Sequence, residues 1–399
     1  MNFLARMAGA AGLTLVAAQA GADELDTLLP ANIPGFGDPF AAAWAGVNGR
    51  AGGTGWRLGG LEIDPGLTFS TGYDSAPNGA GGGSPSLREA PLVALADTKL
   101  GLGGFFGGTA QQDPDDAGQN TTDATAAVGE RADLAGQTVT VAAAYLRAQE
   151  SDFSLSGLNL PAPVSVTVAA LRASDRLALG QFTVTPEVAV TTARFSRFAS
   201  QNHSDDREGL TTEYADGGPG RLVLLLHATQ TNEADGAFSA DTYEALAGVA
   251  DDAPALWDVR LLAGGAFRLA RTGMLTAPVL EASIDWLPTD LDLARLSVSR
   301  EIDDPDEISG SPATVTDVLL SLSDDELRNF TANVSAEVEK SAFLNLSLQE
   351  TLFTTATTMS WQMNPSTALQ LSLVYNDRQA NRLRAANEVV VTAGLAWTP

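Results

Sequence analysis

FTANVSAEVE, residues 330–339, decides the fold class. Phe330, Ala332, Val334, Ala336 and Val338 fall on one face, while Thr331, Asn333, Ser335, Glu337 and Glu339 fall on the other. A period of two residues describes a strand with one apolar side and one wet side. Working outward, the same alternation returns about every 20 residues along most of the chain. One soluble sandwich has no use for so many repeats.

The alternation predicts up-strands near 61–73, 99–109, 137–149, 176–196, 221–231, 256–271, 291–302, 328–339 and 367–377. Down-strands are expected near 89–97, 121–130, 163–173, 207–216, 241–251, 277–287, 314–323, 349–363 and 387–397. The fold class is all-β, a transmembrane antiparallel up-and-down β-barrel of about 18 strands (16–18), with the even count of single-chain bacterial barrels. Glycine-rich sequence blurs the register over 86–136.

The connections alternate in kind. Tight turns are expected at Asp97-Thr98, Ser174-Asp175, Gly217–Gly220, Asp251–Pro254, Pro288–Asp290, Asp324–Glu326 and Asn364–Ser366. Longer links run from Ala76 to Leu87, Gln111 to Asn120, Ser151 to Ala162 and Asp303 to Pro312. Short periplasmic turns and longer external loops have this asymmetry.

The first residues carry Arg6, an apolar stretch from Met7 to Ala18, and a small-residue cleavage site at Ala18-Gln19-Ala20. Residues 1–20 therefore read as a signal peptide, with the mature chain starting near Gly21. The apolar run is shorter than the roughly 20 residues a spanning helix needs. Residues 21–60, with Pro30, Pro34 and Pro39, read as an irregular periplasmic N-terminal segment or a short plug, and 61–399 as the barrel. In lipid, a chain without spanning helices satisfies its backbone only by closing a barrel.

Composition excludes several functions. The sequence has no cysteine and only 2 histidines, so a thiolate site, a disulfide scaffold and the usual imidazole metal cluster are excluded. No cofactor is expected. The formal charge is −26 and Lys99 and Lys340 are the only lysines, so nucleic acid is not a partner. Acid concentrates at Asp113–Asp116, Asp205 and Asp206, Asp303–Glu307 and Asp324–Glu326. Solvated loop charge explains it; cation bridging to lipopolysaccharide or acidic glycans is the sharper alternative.

With the strands oriented, Trp257, Trp286, Trp361 and Trp397 fall at periplasmic ends and Tyr73, Tyr145, Tyr243 and Tyr375 at external ends. Amphipathic rings at both edges of an apolar band form the girdle a bilayer interface selects. The opposite parity gives a lumen-lining set: Glu187, Glu244, Arg260, Arg268, Glu281, Asp285, Arg295, Glu301, Asp317, Asn333, Glu337 and Glu339. About 18 strands make a barrel too wide for side chains to fill. Such a polar, acid-rich wall with separate arginines favours cations or neutral, hydroxyl-rich solutes.

Catalysis is not expected. His227 lies on a strand whose faces both read as apolar, and His203 sits in the acidic stretch Asn202–Asp206, read as a loop. The run Gly101–Gly108 lacks the Lys-Ser/Thr ending and following helix of a phosphate loop.

Short motifs carry a family resemblance: Arg57-Leu58-Gly59-Gly60, Pro65-Gly66-Leu67 and Tyr73-Asp74 at the first strand, then Trp286-Leu287-Pro288-Thr289 and Ser299-Arg300-Glu301. Leu327-Arg328-Asn329 and Tyr375-Asn376-Asp377-Arg378 follow. In these stretches the chain resembles the putative beta-barrel porin type 2 family. Two departures stand out: Thr398-Pro399 follow Trp397 where many barrels end on an aromatic, and Gln379 replaces a frequent serine.

The resemblance implies a Gram-negative outer-membrane barrel, often encoded near exopolysaccharide genes, and brings no catalytic residues. The functional expectation is a channel for exopolysaccharide export or passage of polar solutes; the alternative is a structural or surface-interaction barrel without an open pore. The expected partners are outer-membrane lipid and lipopolysaccharide, the barrel-assembly machinery and polysaccharide export components.

Overall fold

The structure, a computed structural model, describes residues 33–36, 55–76, 82–97, 99–115, 117–150, 164–197, 199, 202–233, 239–251, 256–271, 273–289, 291–303, 312–327, 329–344, 346–381 and 385–398. The expected signal peptide lies outside the described residues.

Nineteen strands follow one another in the chain. They begin with β1 (Trp56–Leu58), β2 (Leu61–Asp74), β3 (Ser84–Asp97), β4 (Leu102–Gln112), β5 (Thr121–Leu134) and β6 (Gln137–Glu150). Next come β7 (Val164–Leu179), β8 (Phe182–Phe195), β9 (His203–Ala215), β10 (Gly220–Glu233), β11 (Ser239–Asp251) and β12 (Trp257–Ala270). The last are β13 (Gly273–Trp286), β14 (Asp292–Asp303), β15 (Ala313–Leu327), β16 (Phe330–Phe343), β17 (Gln349–Asn364), β18 (Thr367–Ala380) and β19 (Ala386–Trp397).

From β2 to β19 every strand pairs antiparallel with its sequence neighbour, and β19 closes on β2 through Val390↔Asp74 to Trp397↔Leu67. The result is a closed 18-strand antiparallel barrel. The short β1 folds back as a hairpin on β2, pairing Trp56↔Ile63 to Leu58↔Leu61, and covers the edge of β2 that β19 does not reach.

The ladder fixes which residues share a face, because cross-strand partners point the same way. Leu373 faces Val391 and Thr357, and Val391 faces Tyr73. The exposed large apolar residues lie on this parity, among them Leu261, Leu296, Leu320, Leu373 and Leu395. Their belt runs round the outside of the barrel and is open to lipid. At one rim Trp257 stacks on Trp286 at 5.6 Å, and Trp361 and Trp397 stand half-exposed at the same rim. At the other rim Tyr243 stacks on Phe267 at 5.0 Å, with Phe353 edge-on to Tyr375 at 6.4 Å.

Tight reversals occupy the tryptophan rim. The chain turns at Gly136 (φ 82°) and at Gly180 (φ 68°), in the left-handed region that glycine enters without steric cost. The sequence placed the second of these at Ser174-Asp175. That dipeptide lies inside β7, where Ser174 pairs with Glu187. Asp324–Glu326 likewise belongs to β15, which ends in a register shift before the rung Leu327↔Phe330. His203, Asp205 and Asp206 open strand β9 and are not a loop.

All five prolines within strands sit beside a break in a ladder. Pro65 lies in the gap between the β1 and β19 pairings on β2, and Pro85 precedes the first β3–β4 rung. Pro91 falls where β3–β4 skips from Glu89↔Ala110 to Leu92↔Gly107. Pro186 falls where β7–β8 skips from Ser174↔Glu187 to Leu177↔Val184. Proline has no N–H to donate, so one side of its strand loses a bond. At Pro278 the break is larger: among the described residues the β13–β14 ladder stops at Leu280↔Arg300.

The two faces predict opposite tolerance at adjacent positions of β18. Leu373→Arg puts a charge in the apolar belt and is expected to cost about 2–4 kcal/mol near the bilayer midplane. Ser372→Arg points into the lumen and should leave the urea midpoint in lipid vesicles nearly unchanged. Equal effects of the two variants would contradict the assignment of faces.

Candidate functional site

The lumenal wall is the candidate site, built by the parity opposite to the apolar belt. The structure places all twelve sequence-predicted wall residues on this parity. It divides them into two arcs.

Along β7 to β14 acids meet bases. Arg260 Nε reaches Glu281 Oε1 at 2.7 Å. Arg295 holds Asp285 with two parallel bonds of 2.7 Å each, the planar fork matching the carboxylate. His227 Nε2 lies 3.3 Å from Glu187 Oε1, and its Nδ1 lies 2.7 Å from an Arg207 guanidinium nitrogen. Arg221 donates to Glu213 at 2.9 Å. Arg268 is almost fully buried and donates to Thr242 Oγ1 at 3.2 Å.

Along β15 to β19 and on β2 the wall is acidic and hydroxyl-rich. Asp317 faces Glu339 directly across the ladder and is in hydrogen-bond contact with Glu337. Ser341 donates to Glu339 at 3.2 Å, and Ser323 bonds Asn333. Nearer the tyrosine rim, Thr354 donates to Asn376 at 3.1 Å and Asn376 donates to Glu388 at 3.1 Å. Arg378 is the one basic side chain on the inward parity of this arc among the described residues, and it lies 3.5 Å from Glu350.

The structure thus brings together Arg260 with Glu281, Asp285 with Arg295, and Asp317 with Glu337 and Glu339. Glu187 joins a residue the sequence reading set aside, His227. Glu244 joins the same group, since it pairs with His227 across the β10–β11 ladder and also accepts from the backbone N–H of Ile302, while Glu301 lies just beyond the last described β13–β14 rung. Sequence reasoning also missed Arg207, Arg378, Glu350 and Glu388. Arg207 opened the expected strand 207–216 on the wall's parity and was passed over; only its companions His203 and Asp205 lay outside that strand.

Not all of the wall is polar. Ile33 and Phe36, from the described part of the N-terminal segment, are buried against Phe105, Ala142 and Leu146 on the inward face of β4 to β6. Phe36 N donates to Ile33 O at 3.1 Å, closing a turn, and the Arg172 guanidinium lies 4.8 Å over the Phe36 ring. A cation over an aromatic face is attracted by the ring quadrupole. A second apolar zone covers β10 to β13, with Val223, Leu225, Leu246 and Leu262 buried together.

Residues 263–397 match the family described as putative beta-barrel porin 2. The match runs from within β12 to the end of β19 and includes the whole acidic arc except β2. No curated protein matches the chain. Among solved structures, the chain is similar to the outer membrane protein OpdK of Pseudomonas aeruginosa, at 8% identity over 85% of this chain and 99% of that one, TM-score 0.47. The siderophore receptor PirA of Pseudomonas aeruginosa is similar at 11% identity, 84% and 80% coverage and TM-score 0.41. A bacterial polysaccharide outer membrane secretin is similar at 9% identity, 86% and 99% coverage and TM-score 0.38. The chain folds as a closed β-barrel, and over residues 263–397 it is similar to that porin family.

The bidentate pair yields a prediction. Arg295→Met leaves the buried Asp285 carboxylate without its partner and is expected to cost about 3 kcal/mol. Adding Asp285→Asn should recover most of that loss in urea unfolding of the double variant. No recovery would show that the two groups act separately.

Proposed function

We propose that this barrel is a channel in the outer membrane of a Gram-negative bacterium, passing polar, hydroxyl-rich solutes, with exopolysaccharide export as the process it serves. The observation that carries the reading is the acidic arc, with Asp317, Glu337 and Glu339 grouped on a wall of hydroxyl and amide side chains. A closed core would rarely gather three carboxyl groups on adjacent strands, because burying charge is expensive. Water in a wide barrel hydrates them instead. Saccharides fit this wall by exchanging hydroxyl hydrogen bonds along it. Lipid and lipopolysaccharide contact the apolar belt, and the barrel-assembly machinery inserts it.

A second reading, a barrel without an open pore, is favoured by the turn Ile33–Phe36 seated on the inner wall. The two readings combine if the stretch ahead of β1, residues 21–54, acts as a plug that leaves when the channel works.

Planar-bilayer recording tests both. The channel reading expects steady openings with cation preference, and Glu337→Gln with Glu339→Gln should move the permeability ratio toward unity. The plug reading expects larger or more frequent openings when residues 21–54 are deleted. Silence of the correctly folded barrel, intact and deleted alike, would sink the channel and leave the structural reading.

The export version has its own measurement. Deleting the gene should lower secreted polysaccharide, and unchanged secretion would count against that role while leaving solute passage open.

A further inference from the structure

Basic side chains are rare on the outer face of the barrel. Among the described residues of β2 to β19, four share the parity of the apolar belt: Arg147, Arg194, Arg300 and Lys340. Arg147 stands two positions from the exposed Tyr145, Arg194 four from the exposed Val190, and Lys340 two from the exposed Val338. Arg300 shares the last described β13–β14 rung with the exposed Leu280.

The four do not scatter. Arg147 pairs with Thr167, and Thr167 with Arg194, in one row across β6, β7 and β8. Arg300 pairs with Thr316, and Thr316 with Lys340, in one row across β14, β15 and β16. Each row is a base, a threonine and a base on one face, with the bases two strand spacings, about 10 Å, apart at the backbone. No carboxylate of that parity lies within two positions of either row on its own three strands. None of the four bases has an acidic partner among the described residues, and Arg300 Nε is without a hydrogen bond.

Both rows lie one step rimward of aromatic rings. Arg147 follows Tyr145 on the same face, and Lys340 pairs with Thr351, next to Phe353 and its edge-on neighbour Tyr375. An outward base is expensive at the bilayer midplane and costs little at the interface, where lipid headgroups begin. Behind the first row the inner side is sealed by Leu146, Val166, Val168, Ala193 and Phe195, so its arginines serve only the outside. On the second row the next outward position, Ile302, is buried in the inner apolar patch with Leu262 and Val279. Arg300 is therefore the last side chain of β14 to face outward.

We propose that each row is a clamp for a phosphate group of lipopolysaccharide, held between the two cationic side chains with the threonine hydroxyl donating to it. Guanidinium and ammonium groups form short, charge-assisted hydrogen bonds to phosphate oxygens, and the guanidinium fork matches them in pairs. A chain of net charge −26 repels anionic headgroups over most of its surface, so two acid-free rows at headgroup level are where phosphate can settle. The rows centre on β7 and β15, eight strands apart in the ring, so they serve two lipids on nearly opposite sides. The acyl chains of each lipid then lie on the belt below. The inference rests on the reading of this barrel as an outer-membrane protein with its tyrosine rim outward.

Native mass spectrometry of the full mature chain in detergent tests it, with bisphosphorylated lipid A, dephosphorylated lipid A and phosphatidylglycerol as probes. Two bisphosphorylated lipid A molecules per barrel are expected. Arg147→Gln with Arg194→Gln should leave one, Arg300→Gln with Lys340→Gln should leave one, and the quadruple variant none. Arg57→Gln with Lys99→Gln, at the tryptophan rim, removes the same charge as either pair and should leave both lipids bound. Equal loss in that control, or equal binding of dephosphorylated lipid A, would overturn the clamps. Displacement by an equal concentration of phosphatidylglycerol would do the same, reducing the rows to general anionic contacts. Heat-modifiable migration identifies the folded barrel in every sample, and cell fractionation reads the location by itself. A quadruple variant that reaches the outer membrane and still holds two lipid A molecules refutes the rows while leaving the outer-membrane reading intact.

Discussion

The constraint on which everything else rests is that a sheet in lipid must pair both edges. No water reaches the hydrocarbon to satisfy a free N–H or C=O, so the first and last strands of the barrel have to find each other. They do so through eight rungs between Leu67–Asp74 and Val390–Trp397. That contact joins residues more than 300 positions apart and sets the number of strands, the parity of every face and the direction of each side chain. The hairpin β1 completes it by covering the part of β2 that β19 leaves bare.

Once closed, the barrel imposes unequal demands on its faces. Lipid accepts little besides apolar side chains outside, which is why the belt is so uniform. The lumen imposes no such rule, and there the sequence diverges into an arc of paired charges, an arc of clustered acids and, among the described residues, three apolar clusters. Chemistry at the lumen is therefore free to vary while the fold stays fixed. The acids clustered at Asp317, Glu337 and Glu339 stand on strands whose outer faces are ordinary apolar alternation.

This asymmetry also explains what the sequence made legible. The strands of the barrel could be located because alternation and turn residues are local signals, and their centres agree with the observed elements. Ser174-Asp175 misled because serine and aspartate favour turns, whereas the ladder carries both onward to Gly180. Parity put Arg260 and Glu281 on one face but read the arginines as separate; their contact runs diagonally, since Arg260 pairs with Ser283 and Glu281 with Leu262, and it needs the register to be seen. The Glu187–His227–Arg207 contact was missed because it depends on where β9 begins and on three strands meeting at one row. The burial of Ile33 and Phe36 had no local signal at all, since a turn's position inside a barrel is a long-range fact.

Ile302 shows most clearly where alternation stops being sufficient. Its parity assigns it to lipid, and its environment is the inner patch. Pro91 and Pro186 show that a proline alone does not open a wall, because the ladder resumes beyond each of them. The difference at Pro278 lies in what competes for the neighbouring strand. The Ile302 N–H keeps a partner in this position, because the Glu244 carboxylate accepts its bond in place of a rung to β13. Burying an isoleucine returns about 1.5–3 kcal/mol, and a hydrogen bond to a carboxylate returns about 1.5–3 kcal/mol more. With the rung at Pro278 already weakened by its missing donor, the balance tips toward the inward position.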